Sequence, residues 1–178
     1  MNVFWKNGYE ATSMRQLEKE MGINQFSIYA SFTDKRSLFI ESMHEYKEHA
    51  KANVFKELLK ENAGIHDILV FLGDFAEKVN SRNYGKGCLI VNTVAEVGSK
   101  DEFIFEVTRQ YFDFVGTMFR KILIHSKEYG QISPSADVEK YTNYLIGVMQ
   151  GISVASKVMN KKQLSDFILT AVESIKKL

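Results

Sequence analysis

The chain has 178 residues, of which 45% are hydrophobic and 25% are charged, and its 23 basic and 22 acidic side chains leave a net charge of +1. This composition can form a continuous core, which excludes disordered and collagen-like chains. The single cysteine, Cys88, excludes an internal disulfide and a multi-cysteine zinc site. No stretch approaches the roughly 18 apolar residues of a membrane span, so we expect a cytoplasmic protein without a membrane partner.

Long stretches of 3.6-residue apolar periodicity and a single proline predict an all-α protein. The first helix is expected to end within a few residues at Gly8, in a left-handed conformation. A capping box that starts at Ser13 predicts a second short helix ending at Gly22. Asn24 is a candidate N-cap for a third helix that reaches about Ser31.

Six longer or more apolar helices are expected in the rest of the chain. Ser99 and Glu102 form a second candidate capping box, and Pro134 suits the first position of a later helix. The expected bounds are 34–61, a segment between Gly64 and the stretch 83–87, then 88–97, 101–129, 135–160 and 162–177.

The second and third helices, separated by Gly22 and Ile23, have the dimensions of a helix-turn-helix motif. We expect the motif to bury four apolar side chains, Leu17, Ile23, Ile28 and Phe32. That leaves six residues free to point outward, namely Gln25, Phe26, Ser27, Tyr29, Ala30 and Ser31. From spacing alone, an αα-hairpin inside a helical bundle fits as well.

The runs FWKNGYEATSMR at 4–15 and GINQFSIYASFTDKRSLF at 22–39 closely resemble the DNA-binding domain of the tetracycline-repressor (TetR/AcrR) family. The run GCLIVNT at 87–93 resembles a segment common in the regulatory domains of AcrR-like members. The resemblance implies an N-terminal helix-turn-helix three-helix unit, residues 1–47, joined by a long helix to an α-helical ligand-binding and dimerisation bundle, residues 48–178. Family members carry a longer first helix, so we expect the first helix here to be shortened.

The resemblance also implies roles for individual residues. Tyr29 and Lys35 match family positions that bind DNA phosphates, and Ser13 matches the residue that caps the second helix near the DNA backbone. Four residues match the variable positions that meet base edges, namely Gln25, Phe26, Ser27 and Ala30. Gln25 suits adenine and Phe26 suits a thymine methyl group.

Two features of this segment predict modest and strongly salt-sensitive DNA binding. Ala30 and Ser31 are smaller than the side chains that usually occupy these DNA-contacting positions. Residues 1–50 also carry six basic and seven acidic side chains, so few cations are available to neutralise phosphates.

The helix at 101–129 carries aromatic residues on more than one face, which predicts burial on several sides. This surface is either plain core or, as the resemblance favours, part of a site for a small hydrophobic or aromatic effector. The candidate ligand-binding residues are Phe75, Cys88, Asn92, Glu96, Tyr111, Phe114, Val115 and Met118. For Asn92 and Glu96, simple surface exposure is an equal alternative, and Cys88 is either an oxidant sensor or an inert buried thiol.

The last two helices carry the candidate dimer interface, because two glycines four residues apart permit close helix packing and the family dimerises through two such helices. The candidate interface residues are Tyr144, Gly147, Gly151, Val154, Val158, Leu164, Phe167, Ile168, Ala171 and Ile175. A twofold dimer would set two reading helices roughly 34–36 Å apart and imply a palindromic operator.

The sequence therefore predicts a homodimeric transcriptional repressor that a small molecule releases from double-stranded DNA. The alternative is a helical ligand-binding or dimerisation protein with the same fold that has lost effective DNA binding. The four histidines lack metal-ligand spacing and no catalytic motif is present, so we expect no metal, no cofactor and no enzymatic activity.

Overall fold

The computed structural model describes the backbone of residues 1–78 and 86–178 and the side chains of residues 1–74 and 86–178. The described backbone is helical and contains no strand, which confirms the all-α fold. The helices are α1 (Asn2–Asn7), α2 (Met14–Met21), α3 (Gln25–Ser31), α4 (Lys35–Asn53), α5 (Ile65–Lys78), α6 (Leu89–Glu96), α7 (Glu102–Glu128), α8 (Val138–Ala155) and α9 (Lys161–Lys176). Within these ranges, no helix combines the length and apolar character that crossing a bilayer requires.

The ends of α2 and the start of α3 confirm the predicted caps, whereas Gly8 ends α1 with φ of 84° and ψ of 174°, outside the predicted left-handed conformation. The Ser13 hydroxyl accepts a hydrogen bond from the Gln16 amide, and the Gln16 side chain accepts one from the Ser13 amide, which completes the capping box. Gly22 ends α2 in the left-handed conformation, with φ of 69°. The Asn24 side chain accepts a bond from the Ser27 amide at 2.8 Å and so starts α3.

The predicted end of α4 at residue 61 is wrong, because the helix ends at Asn53. The chain then turns, and Phe55, Leu58 and Ala63 pack into the core with 3% or less of their surface exposed. Apolar spacing therefore continues through the turn and hides the end of the helix.

Two predicted N-terminal helix signals are wrong, although the predicted start of α7 at residue 101 lies within one residue of the observed one. Ser99 lies in a short 3₁₀ turn, and α7 is instead capped by Asp101, whose Oδ1 accepts bonds from two backbone amides at 3.1 Å. Asp137, rather than Pro134, precedes α8, and its carboxylate accepts a bond from the Lys140 amide. In both places the carboxylate provides a stronger acceptor for helix amides than the neighbouring serine or proline offers.

The helices divide into two compact units that do not follow chain order. Unit 1 comprises Met1–Ala50 and Cys88–Tyr111, and unit 2 comprises Lys51–Gly87 and Phe112–Leu178. The functional boundary between residues 47 and 48 stays a prediction.

The core of unit 1 is aromatic. Phe4 and Phe39 are each 1% exposed, and their ring centroids lie 4.8 Å apart in an edge-to-face arrangement. Ile28 from α3 is also fully buried, as predicted, and Leu17 is 2% exposed. The prediction that Ile23 is buried is wrong, because its side chain lies in the turn after Gly22 and is 42% exposed.

The core of unit 2 forms where α9 packs on α5 and α8. The side chains buried there at 1% exposure or less include Ile68 and Leu72 from α5, Leu145 from α8, and Leu164 and Ile168 from α9. α9 starts at an unpredicted capping box, in which Asn160 and Gln163 each bond the other's backbone amide.

Candidate nucleic-acid interface

Helix α3 presents most of its predicted DNA-contacting residues to solvent. Phe26 is 82% exposed and Tyr29 is 47% exposed, while Ala30 and Ser31 are also exposed. Both aromatic side chains therefore lie largely outside the core and are accessible to a partner.

Gln25 is partly buried, and its side chain is held by the neighbouring helix. The Gln25 amide nitrogen donates to Glu18 Oε2 at 3.3 Å. Bidentate bonding to adenine needs both the carbonyl and the amide group. The contact of Gln25 with adenine stays a prediction, and it would require the side chain to give up its bond to Glu18.

Lys35 lies at the start of α4, and its ammonium group is bonded to the segment between α1 and α2, which we call the α1–α2 turn (residues 8–13). Its Nζ donates to the carbonyl oxygens of Tyr9 at 3.0 Å and Thr12 at 3.2 Å, with a longer contact to Glu10 at 3.5 Å. The same ammonium group lies 4.5 Å from the centre of the Tyr9 ring. Lys35 thus fixes the turn, a role that the sequence did not predict, and its phosphate contact stays a prediction.

Glu96, a candidate ligand-binding residue, is bonded to the same turn. Its carboxylate oxygens accept hydrogen bonds from the Tyr9 amide at 2.9 Å and the Glu10 amide at 2.8 Å. These partners are 87 and 86 residues away in sequence, so no local sequence pattern predicts the contact.

An ion pair joins the start of α4 to the residue that caps α7. The Arg36 guanidinium lies 3.6 Å from Asp101 and 3.9 Å from Asp34, and it stacks 4.8 Å from the centre of the Phe103 ring. A backbone hydrogen bond from Ser37, more than Arg36, holds the pKa of Asp34 below its usual range. Burial, and then the negative charge of Asp101, raises the pKa of the nearby Tyr9 phenol.

The candidate ligand-binding residues are distributed over both units. Cys88 and Asn92 are half-buried in unit 1, where Tyr111 is 4% exposed. In unit 2, Val115 and Met118 are almost fully buried and Phe114 is partly exposed, while the Phe75 side chain lies outside the described residues.

Cys88 and Tyr111 are brought together with Tyr46, which the sequence did not single out. The Tyr46 and Tyr111 ring centroids lie 6.2 Å apart. Burial, and next the Cys88 thiol, raises the pKa of both phenols far above their usual value.

The candidate dimer residues divide into an exposed and a buried set. On α8, Tyr144 and Gly147 are exposed, as is Val154 at 52%, while Gly151 approaches the Phe167 ring of the same chain; Val158, in the turn after α8, is 81% exposed. Leu164, Ile168, Ala171 and Ile175 on α9 are each 1% exposed or less. These four side chains belong to the chain's own core and offer no surface to a second copy.

Among the described residues, no group of three or more His, Cys, Asp or Glu side chains is arranged to hold a metal ion. The described site is instead helix α3, which follows the turn at Gly22, is capped by Asn24 and presents aromatic and hydroxyl groups to solvent. Together with the all-α fold, this defines a helix-turn-helix regulator of transcription.

The family follows from two profile matches. Residues 1–41 match the profile described as "Bacterial regulatory proteins, tetR family", and residues 64–172 match "Tetracyclin repressor-like, C-terminal domain". The chain belongs to the tetR family, whose members are regulators rather than enzymes, and it is a ligand-responsive DNA-binding regulator.

Named relatives are distant but extend over most of the chain. The chain is 25% identical to the HTH-type transcriptional repressor ComR of Escherichia coli K12 over 158 residues, covering 88% of this chain and 75% of ComR. It is 22% identical to the HTH-type transcriptional repressor DhaR of Mycobacterium sp. GP1, covering 96% of this chain and 84% of DhaR.

Solved structures share the fold. The regulator CifR, as a cysteine mutant complexed with 26-base-pair operator DNA, matches with a TM-score of 0.84 and 22% identity, covering 97% of this chain and 91% of that chain. The reduced form of NemR from E. coli matches with a TM-score of 0.85 and 15% identity, covering 99% of this chain and 91% of NemR.

Proposed function

We propose that the chain is a homodimeric repressor that leaves a palindromic operator when a small hydrophobic or aromatic molecule binds its C-terminal domain. The observation that carries this proposal is the exposed surface of α3, above all Phe26 and Tyr29. Repression, rather than activation, is supported by similarity to the repressors ComR and DhaR.

In this proposal Phe26 contacts a thymine methyl group and the Tyr29 hydroxyl donates a hydrogen bond to a DNA phosphate. Ser13, the exposed N-cap of α2, lies near the DNA backbone. The remaining exposed α3 side chains are small, so Phe26 carries most of the base selectivity, whereas Tyr29 and Ser13 position the motif on the DNA backbone. Because residues 1–50 have no excess of positive charge, few counterions are released, so specific binding depends on such contacts and its salt dependence should be shallow, contrary to the strong salt sensitivity expected in the sequence analysis.

The homodimer is proposed to form through the exposed stripe of α8. Tyr144, Gly147 and Val154 recur at intervals that place them on one side of this helix, and the exposed Val158 follows in the turn after it. Apart from its own helix backbone, nothing in the described part of the chain lies within 4 Å of where a Cβ of Gly147 would lie, so its surface is open to close helix packing. A twofold axis through this stripe would pair two copies of α3 with two operator half-sites.

The effector site is proposed to include Phe114, Val115 and Met118 of unit 2, which share one side of α7. Val115 and Met118 are nearly buried, so an effector reaches them only by displacing side chains that pack there. The free energy by which the effector weakens DNA binding equals the difference between its binding free energies for the DNA-free and the DNA-bound conformations.

The test measures binding to duplexes from the upstream region of the protein's own gene by fluorescence anisotropy over a series of salt concentrations. Phe26→Ala should weaken binding to the preferred duplex by about 5- to 150-fold, because one good base contact contributes about 1–3 kcal/mol. Tyr29→Phe should weaken binding to all duplexes by a smaller and sequence-independent factor. Tyr129→Phe removes the hydroxyl of another exposed tyrosine, outside the helix-turn-helix, and serves as the control.

Two results would contradict the proposal. A steep salt dependence without preference for any duplex would favour the helical protein that has lost effective DNA binding. A monomer at micromolar concentration in size-exclusion chromatography would exclude the homodimer.

A further inference from the structure

The α1–α2 turn is held by two side chains of opposite charge. Glu96, the last residue of α6, accepts hydrogen bonds from the Tyr9 and Glu10 amides, while Lys35 donates to carbonyl oxygens of the same turn. The amide and carbonyl groups of the turn are thus bonded by separate parts of unit 1. Charge-assisted bonds of this kind are stronger than bonds between neutral groups.

Gly8 provides the space for the carboxylate. Its backbone has φ of 84°, and a Cβ at this position would lie 2.7 Å and 2.8 Å from the two Glu96 oxygens. Only glycine combines this conformation with so close an approach. The turn is therefore shaped to receive the carboxylate.

The position of Glu96 in its own helix points to the same conclusion. A carboxylate at the C-terminal end of a helix faces the negative end of the helix dipole, which is unfavourable. No hydrogen bond of the Glu96 carboxylate within α6 offsets this repulsion, because the C-cap of α6 is formed by backbone groups. The two amides of the α1–α2 turn are the contacts that offset this cost.

The turn leads directly into the reading motif. Ser13, at its end, caps α2, and α2 packs on α3. We infer that Glu96 is a positioning residue for DNA reading, because through the α1–α2 turn its carboxylate fixes α2 and α3 in the orientation that binds the operator. The inference rests on DNA binding by α3 and does not depend on any effector.

The experiment compares Glu96→Gln with Glu41→Gln. The glutamine keeps the size of Glu96, but its NH₂ group faces an amide donor, so at most one of the two bonds survives. Glu41 is exposed on α4 in the same unit, so its variant removes the same charge without this contact. Loss of a negative charge alone should tighten DNA binding slightly in both variants.

We expect Glu96→Gln to weaken binding to the preferred duplex about tenfold, the effect of losing one hydrogen bond to a charged group. Its binding to a scrambled duplex and its salt dependence should follow those of Glu41→Gln. Amide hydrogen exchange at Tyr9 and Glu10 should become at least about tenfold faster in Glu96→Gln alone. A merely global loss of stability would instead accelerate exchange throughout unit 1.

Operator binding by Glu96→Gln equal to that of Glu41→Gln would overturn the inference. It would also be overturned if the Tyr9 and Glu10 amides of the wild-type protein exchanged at the rate of unprotected amides, a measurement that needs no variant. If the wild-type protein preferred no duplex, the proposed function would fail, whereas the exchange data would still decide whether the Glu96 contact holds the turn.

Discussion

Two buried threonines of this protein differ in whether their hydroxyl groups form a hydrogen bond. Thr93 and Thr142 are both buried, at 2% and 0% exposure. The Thr93 hydroxyl donates to the Leu89 carbonyl at 2.9 Å, whereas the Thr142 hydroxyl has no hydrogen-bond partner among the described residues. A buried hydroxyl without a hydrogen bond lowers stability, because it loses its bonds to water.

Replacing each threonine by valine should therefore have opposite consequences. Thr142→Val should raise the free energy of unfolding by about 1 kcal/mol, since it replaces an unbonded hydroxyl with a methyl group of similar size. Thr93→Val loses a hydrogen bond and should lower it by up to about 1 kcal/mol. Urea unfolding of the two variants measures the difference, and a Thr142→Val protein less stable than Thr93→Val would contradict the reasoning.

At the scale of helices and turns, Asp101 serves two structures at once. It caps α7 by accepting two amide hydrogen bonds, and its other oxygen lies 3.6 Å from Arg36. Capping is expected to contribute more than the ion pair, because the pair is partly exposed to solvent.

Two substitutions of Asp101 separate these contributions. Asp101→Asn retains a capping oxygen and loses the charge, so it should cost less than about 1 kcal/mol in the free energy of unfolding. Asp101→Ala loses both and should cost about 1–2 kcal/mol. Urea unfolding at low and at high salt tests this order. Equal losses for the two variants would show that the ion pair, rather than the cap, stabilises this turn.

The helix ends also show what the sequence could predict. Ser13 and Asn24 were predicted correctly because each cap is completed by an amide three residues away, within the same local pattern. Asp101 was missed because Ser99 fits the same local pattern, and the choice between them depends on the wider structure of unit 1, including Arg36. The contact of Glu96 with the α1–α2 turn was beyond reach, since its two halves lie in different parts of the sequence.

At the scale of the whole molecule, the burial of two tyrosines makes the free energy of unfolding fall at alkaline pH. Burial, and then the Cys88 thiol, raises the pKa of Tyr46 and Tyr111. The folded state therefore keeps both phenols protonated, whereas in the unfolded chain they ionise near their ordinary pKa of about 10. Their contribution to stability is fully present below about pH 10 and is lost as the pH rises further.

Each phenol that ionises only on unfolding should lower the free energy of unfolding by about 1.4 kcal/mol per pH unit above about pH 10. Tyr46→Phe and Tyr111→Phe keep the rings and remove the ionisation, so each variant should show a shallower decline than the wild-type protein. Tyr129 is 71% exposed, and Tyr129→Phe should leave the decline unchanged. Urea unfolding between about pH 8 and pH 11 measures these slopes. Lysines ionise in the same range, so the informative quantity is the difference in slope between variants, which cancels contributions that they share. Parallel slopes for all four proteins would mean that neither buried phenol has a raised pKa in the folded state.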